Sequence, residues 1–327
     1  MRWMALEVMK TPRSAQTPKK LDDAARAAWL AYVAGKTQDE IARLLGVSRQ
    51  SAQRLVSQAM QAGLVKVRID HPISTCLDLS ARLQDRFGLA LCEVVPALSS
   101  EAEAGQAVAH RLADLIEDRL SAEAPVTLGI GTGRTLRAAV EHLPRIDCPQ
   151  HRIVSLTGNV APDGSTSYYN VLFTLGEKVT AQTFPLPVPV IASTQSERDA
   201  LLGQSTLAPA LRLAHGAQFR IMGIGTMDSA APILRDGFVD DATLTRVRGK
   251  GAVGEIFGFP FDGEGALIDD EVTGRVCSVA LTTESAVERI AAAHGRSKVP
   301  ALRAAIAGRL ISGLITDENT AASLLGP

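Results

Sequence analysis

Two clusters in this chain have residue types and spacing that could do chemistry. The first comprises Ser48, Arg49, Gln50, Ser51, Gln53, Arg54 and Gln58, with Gln38 upstream, and no Asp or Glu falls between residues 48 and 61. On the helix predicted there, Ser48, Arg49, Gln50, Gln53, Arg54 and Gln58 are the side turned away from the core. Arginine matches guanine edges, glutamine matches adenine and serine matches phosphate, so the face suits the major groove of DNA. Arg49 and Arg54 fit equally well as base readers or as phosphate clamps. A hairpin that only bound protein would tolerate an acid in this stretch.

The second cluster is Gly129-Ile130-Gly131-Thr132-Gly133-Arg134-Thr135-Leu136, a glycine-rich turn between an apolar run and a helical pattern. Glycines let backbone N–H groups turn toward an anion, and Thr132, Arg134 and Thr135 add side-chain donors. The turn lacks the final glycine of G-x-G-x-x-G and the G-K-[ST] of a P-loop. Its alternative reading is a steric one, a tight strand-to-helix turn. Thr157-Gly158-Asn159 and Gly225 through Asp228 end two other apolar runs, where Asn159 and Asp228 could bond sugar hydroxyls or simply serve turns. Glu255 lies among Phe257, Phe259 and Phe261, as in a carbohydrate pocket or a core, and Lys298 opens a helix where a cation could meet an anionic ligand or solvent.

The elements that must hold these residues fall into two sets. Residues 1–20 read as a flexible tail and residues 21–70 as a helix-turn-helix domain. In that domain Leu21–Ala34, Thr37–Leu45 and Ser48–Ala62 are helices, with Thr37 and Glu40 forming a capping box. Ala42 is small enough for the helices to approach, Gly46 permits the turn, and Ile41, Leu45, Val47 and Leu55 are the shared core. Leu64–Ile69 alternates and predicts a strand serving as a wing, and the boundary falls at His71-Pro72.

Residues 71–327 read as an effector and oligomerisation domain in which short apolar strands alternate with amphipathic helices. Strands are predicted at Cys92–Val95, Val126–Ile130, Ile153–Leu156, Phe219–Ile224, Val276–Leu281 and Ile311–Ile315. Helices are predicted at Leu77–Phe87, Ala102–Leu120, Thr135–His142, Glu197–Leu202, Ser205–Ala214, Ser285–Ala293 and Lys298–Gly308. Phe184 to Pro189 reads as a stiff extended connection. This pattern gives an α/β class with a Rossmann-like parallel sheet covered on both faces, binding ligands beyond the carboxyl ends of its strands.

Composition agrees with a two-domain globular chain. The 327 residues are 46% apolar, 21% charged and only 4% aromatic, which excludes disorder, collagen and an aromatic-rich all-β protein. A net charge of -1 conceals +6 over residues 1–70 and -7 over the remainder, so the front end suits a polyanion. The four cysteines are too scattered for a zinc site, and no metal or cofactor is expected. Arg2, Glu7, Lys10 and Arg13 break up the first apolar runs, and no stretch reaches the length of a membrane span, so a cytoplasmic protein is expected.

The segment Tyr32 to Val67 resembles the DNA-binding domain of SorC-type, DeoR-related, sugar-binding transcriptional regulators. It carries Thr37-Gln38-x-x-Ile41-Ala42, Gly46-Val47-Ser48-Arg49 and Gly63-Leu64-Val65. Gly129 to Leu136, Gly223-Ile224-Gly225 with Asp228, Gly251 to Glu255 followed by Phe261-Asp262, Lys298, and Leu314 to Glu318 resemble the effector domain of that family in the same order. The resemblance implies a domain related to sugar-phosphate isomerases and deaminases, a homotetramer or dimer, and operator affinity changed by a sugar, sugar phosphate or polyol. It further implies that Gly131 to Thr135 hold a phosphate or equivalent polar end, with Asp228, Glu255 and Lys298 at the pocket. Ala293-His294-Gly295 departs from the paired glycines usual in the family.

The reading is therefore a ligand-responsive regulator of a carbohydrate-catabolism operon, without catalytic residues. Two alternatives are a sugar-phosphate isomerase or deaminase fused to a DNA-binding module, drawing on Asp228, Glu255 or His294, and a purely architectural DNA-binding protein.

Overall fold

The computed structural model describes residues 18–65, 74–97, 100–165 and 170–326, and the chain parts into two compact units, Met1–His71 and Pro72–Pro327.

The described residues of the first unit form three helices, α1 (Pro18–Tyr32), α2 (Gln38–Leu45) and α3 (Arg49–Gln61). α1 starts at Pro18, three residues before the predicted start, because proline suits the first helical turn. The Thr37–Glu40 capping box forms, with the Thr37 N–H donating to the Glu40 carboxylate at 2.8 Å. Gly46 ends α2 in the left-handed conformation (φ 65°, ψ 33°) that releases the chain toward α3. Ile41, Ala42, Ala52, Val56 and Ala59 are buried against Ala24, Ala27 and Ala28 of α1. Alanines at the helix contacts let the backbones approach closely, and Leu45 and Leu55 are half-buried at the edge. Val47, expected inside, is 36% exposed: it sits in the turn itself, off both helix faces. Of the predicted wing, Leu64 and Val65 form no strand and the rest lies outside the described residues.

Among its described residues the second unit has ten strands: β1 (Leu91–Val95), β2 (Thr127–Ile130), β3 (Arg152–Ser155), β4 (Gln182–Phe184), β5 (Phe219–Met222), β6 (Gly225–Thr226), β7 (Gly254–Ile256), β8 (Phe259–Phe261), β9 (Glu288–Ala292) and β10 (Gly313–Asp317). Seven form a wholly parallel sheet in the order β1-β10-β9-β5-β2-β3-β4, and β6-β7-β8 form a small antiparallel sheet. Alternate residues face opposite cores. Leu128, Ile130, Ile153, Ile221 and Ile290 pack with Leu112 and Ile116 of α5 (Glu101–Leu120) and with Leu136 of α6 (Arg134–His142). Val154, Met222, Ala291 and Leu314 point the other way, onto Leu83 of α4 (Ser74–Phe87) and Leu302.

Two predicted elements are corrected. Ser285–Ala293 is not a helix but contains β9: its alanines favour helix, yet Ile290 through Ala293 are all buried between the two cores, and a doubly covered strand loses its alternation. Val276–Leu281 is not a sheet strand. It is a segment buried from Val276 to Val279, with the N–H groups of Cys277 and Val279 donating to Val190 and Leu156, because β9 takes the place beside β5. The Phe184–Pro189 connection follows β4, with Leu186 and Val188 buried.

One ion-pair cluster ties the second unit together away from the sheet. Asp270 caps the helix Glu271–Arg275, receives Arg246 through both Nε and Nη2 at 3.0 Å, and lies 2.9 Å from Lys250. The Arg246 bonds, with further donors from Val272 and Lys250, hold its carboxyl well below the usual range. A depressed folded pKa stabilises above the unfolded value and is lost as pH falls. Asp270→Asn should therefore cost about 1–2 kcal/mol near pH 7, a modest figure because Arg246 and Lys250 still touch solvent, and the gap from wild type should begin to narrow only below about pH 4, the unfolded carboxylate's value, and shrink steadily toward the depressed folded one. Urea melts near pH 7 and at about pH 2 check this; a gap that stays constant or widens in acid contradicts it.

Candidate DNA-binding surface and effector pocket

Ser48 caps α3, its Oγ accepting the Ser51 N–H at 3.1 Å and donating to Ser51 Oγ at 2.9 Å. With Ala52, Val56 and Ala59 turned inward, Arg49, Gln50, Gln53 and Arg54 are exposed and Ser51 and Gln58 half-buried. Gln38, the first residue of α2, is half-buried with Oε1 enclosed and unpartnered. The helix itself is free of acids, but Asp39 of α2 lies 3.4 Å from Arg49. That pair is largely exposed (71% and 62%), so it contributes at most about 1 kcal/mol and yields readily to a phosphate.

In the central sheet the chain steps outward from β2 to β3 and β4 in one direction, and from β5 to β9 and β10 in the other. The reversal lies between β2 and β5, which opens a crevice at their carboxyl ends. Gly131 to Thr135 leave β2 there, and Gly223 to Asp228 leave β5. Gly133 (φ 137°) starts α6 without a side-chain cap, leaving the first-turn N–H groups to other acceptors. Gly131 has a steric reason: a Cβ on it would stand 2.6 Å from the Phe257 ring. Phe257 itself takes φ 58° in the two-residue turn joining β7 and β8, with Gly258 at 87°, as a type I′ turn requires.

The predicted ligand residues separate into two groups. Gly131, Thr132, Thr157, Gly158 and Asn159 line one narrow recess, partly open to solvent, with Ser155, Asn170 and Pro185. Ser155 Oγ donates to Thr157 O at 2.7 Å, and Asn159 keeps an enclosed, unpartnered Oδ1. Gly158 fits only without a side chain, since a Cβ would meet Pro189 O and Val188 O at 2.4 and 2.5 Å. Gly225, Glu255 and Lys298 form the second group. Glu255 Oε2 accepts the Gly258 N–H at 2.8 Å while its other oxygen lies against Gly225, and Lys298 Nζ donates to Ile224 O at 2.7 Å. Burial raises the Glu255 carboxyl and lowers the Lys298 ammonium, and the opposite charge of each opposes the other's shift. Phe257 connects the groups, its ring on Gly131 and its hairpin carrying Glu255.

Arg134, at the start of α6, lies 3.2 Å from Asp236, and Thr135 is half-buried beside it. Asp228 Oδ1 accepts the Ala230 N–H at 2.8 Å, so that oxygen serves the turn. His294 lies half-buried, its ring where a Cβ on Gly105 would stand, with Nδ1 enclosed and unpartnered; burial, then Lys298, lowers its pKa. Sequence reasoning missed Asp236 and Asn170 as neighbours of the site, and it placed Phe257 beside Glu255 without its contact with Gly131. Only Phe257-Gly258 left a signal, a residue-glycine pair able to make the turn. Among the described residues no group of three His, Cys, Asp or Glu side chains could hold a metal, and no helix is long and apolar enough to cross a membrane.

A family model for the sugar-binding domain (Sugar-bind) matches residues 71–326, and a MarR family model matches residues 27–72. The erythritol catabolism regulatory protein EryD of Brucella abortus (strain 2308) is 36% identical over 93% of this chain and 96% of its own. This chain belongs to the SorC-type sugar-binding transcriptional regulators. The transcriptional regulator LsrR of Enterobacter sp. (strain 638) is 31% identical, with 92% of each chain covered. The full-length sorbitol operon regulator SorC from Klebsiella pneumoniae shares the fold, at 24% identity and a TM-score of 0.72 over 93% of this chain and 98% of that one. As a SorC-type protein the chain is a ligand-responsive, DNA-binding transcriptional regulator, and these relatives speak against the isomerase or deaminase alternative.

Proposed function

We propose that Ser48, Arg49, Gln50, Ser51, Gln53, Arg54, Gln58 and Gln38 contact an operator, and that a sugar, sugar phosphate or polyol binds at the β2–β5 crevice to change operator affinity. The observation that carries this reading is the pairing of an acid-free exposed α3 face in one unit with a polar recess at the sheet's switch point in the other. In the recess Gly131, Thr132, Gly133, Arg134 and Thr135 take the most polar end of the effector, and Thr157, Gly158 and Asn159 take hydroxyls. Gly225, Asp228, Glu255 and Lys298 close the opposite side. The protein acts in the cytoplasm on a carbohydrate-catabolism operon, as a homotetramer or dimer whose copies read repeated half-sites. Its domains are the 21–70 DNA-binding piece and the 71–327 effector piece, preceded by a tail.

The test is a thermal-unfolding panel of free sugars, sugar phosphates and polyols, the last on the strength of the relatives' names. A ligand at 100 times its Kd adds about 2.7 kcal/mol, a readable shift. The expected result is one chemical class that stabilises wild type and fails to stabilise Arg134→Ala. A panel with no stabilising compound would instead favour a constitutive DNA-binding protein.

A further inference from the structure

We infer that the amino-terminal edge of the central sheet carries an oxyanion site built from Arg220 and Arg289, apart from the effector crevice. The two residues lie side by side, paired in the parallel register of β5 and β9. Each is almost fully enclosed, at 3% and 4% exposure. Their strand neighbours two residues on, Met222 and Ala291, belong to the same core, so both side chains leave the sheet on one face.

The hydrogen bonding of the pair is incomplete. Arg220 Nη2 donates to His215 O at 2.9 Å, at the carbonyl end of the helix Ala208–His215. Arg289 Nη1 donates to Val287 O at 2.7 Å and to Glu284 O. A guanidinium has five N–H donors, and the Nε of each is buried without a partner. No carboxylate among the described residues lies within ion-pair distance of either. Glu284 is the acid whose charge acts on both, and it sits exposed on the loop that supplies the two carbonyls bonded by Arg289.

Buried charges in proteins are paired with a counter-charge or coordinated. Two guanidiniums on paired strands, bonded to backbone carbonyls and each keeping an unpartnered Nε, suit a carboxylate or phosphate, which accepts through two oxygens. The small exposed fraction admits only a small anion, or the tip of an acidic side chain. At their opposite ends the same two strands lead to Gly225 and Asp228, and to Lys298, so the pair stands across the sheet from the effector crevice. The oxyanion can come from solution, as phosphate, or from a carboxylate on a second copy of this chain.

Calorimetric titration with inorganic phosphate and light scattering together separate these sources. Phosphate should bind wild type and Arg134→Ala alike, and binding should weaken by at least roughly tenfold in Arg220→Met, which removes a single carbonyl bond. Arg220→Lys keeps the charge without the fork; it should also weaken binding, and it serves if the methionine variant does not fold. If phosphate fails to bind wild type, Arg220→Met must instead reduce the oligomeric state. Undiminished phosphate binding in both Arg220 variants, binding lost only in Arg134→Ala, or neither binding nor a change of oligomer would overturn the site.

Discussion

Arg49→Ala combined with Arg54→Ala will abolish operator binding while effector binding and the fold persist. Each arginine, whether it reads a base or clamps a phosphate, is worth about 1–3 kcal/mol on DNA, so the pair should lower affinity by roughly 30-fold to 2 × 10⁴-fold. Neither residue is buried, and the core of the first unit runs through Ile41, Ala52 and Val56 on the other side of α3, so little stability is at stake. Losing Arg49 also releases Asp39, which then faces the duplex as an unpaired acid and adds repulsion. Single variants tested on scrambled DNA assign the roles: a phosphate clamp weakens all sequences evenly, a base reader relaxes one position. Operator affinity retained in the double variant would remove α3 as the reading helix.

Lys298→Met will do the reverse, leaving operator affinity intact and removing the response to effector. The side chain is half-buried at the residue level, but its ammonium is drawn deep into the protein, onto Ile224 O and opposite Glu255. Methionine keeps the length and apolar stem and deletes only the charge. A lost hydrogen bond from a charged group costs about 1.5–3 kcal/mol, which corresponds to about 10- to 150-fold weaker effector binding. Glu255 then loses the cation that opposes its upward shift and takes up a proton more readily. Stability should change little, because burial already disfavours the charged lysine. Isothermal titration of the effector alongside operator binding measures both halves, and unchanged effector affinity would move Lys298 out of the site.

The helix-turn-helix and the β2–α6 turn were legible because their local rules are strict. A capping box, a left-handed glycine and inward alanines fixed α2 and α3 to within a residue, and an apolar run ending in Gly-x-Gly marked the β2–α6 turn. Long-range pairing was not legible. Whether 276–281 or 288–292 fills the place beside β5 depends on which segment reaches the ladder first in space, and alanine-rich β9 carries no period to show it. The site suffered similarly: Asp39 opposite Arg49, Asp236 opposite Arg134 and Phe257 on Gly131 join residues distant in the chain or on different elements. The glycines show a further limit, since Gly131 and Gly158 are required by neighbours rather than by their own backbone angles, and composition cannot distinguish those causes.

The most direct test of coupling between the two sites is a reciprocal binding measurement. Operator affinity is read by fluorescence anisotropy with and without saturating effector, and effector affinity with and without saturating operator. Both should change by the same factor, within roughly 5- to 150-fold, as a coupling of about 1–3 kcal/mol demands. Operator affinity that stays constant at saturating effector would contradict the account.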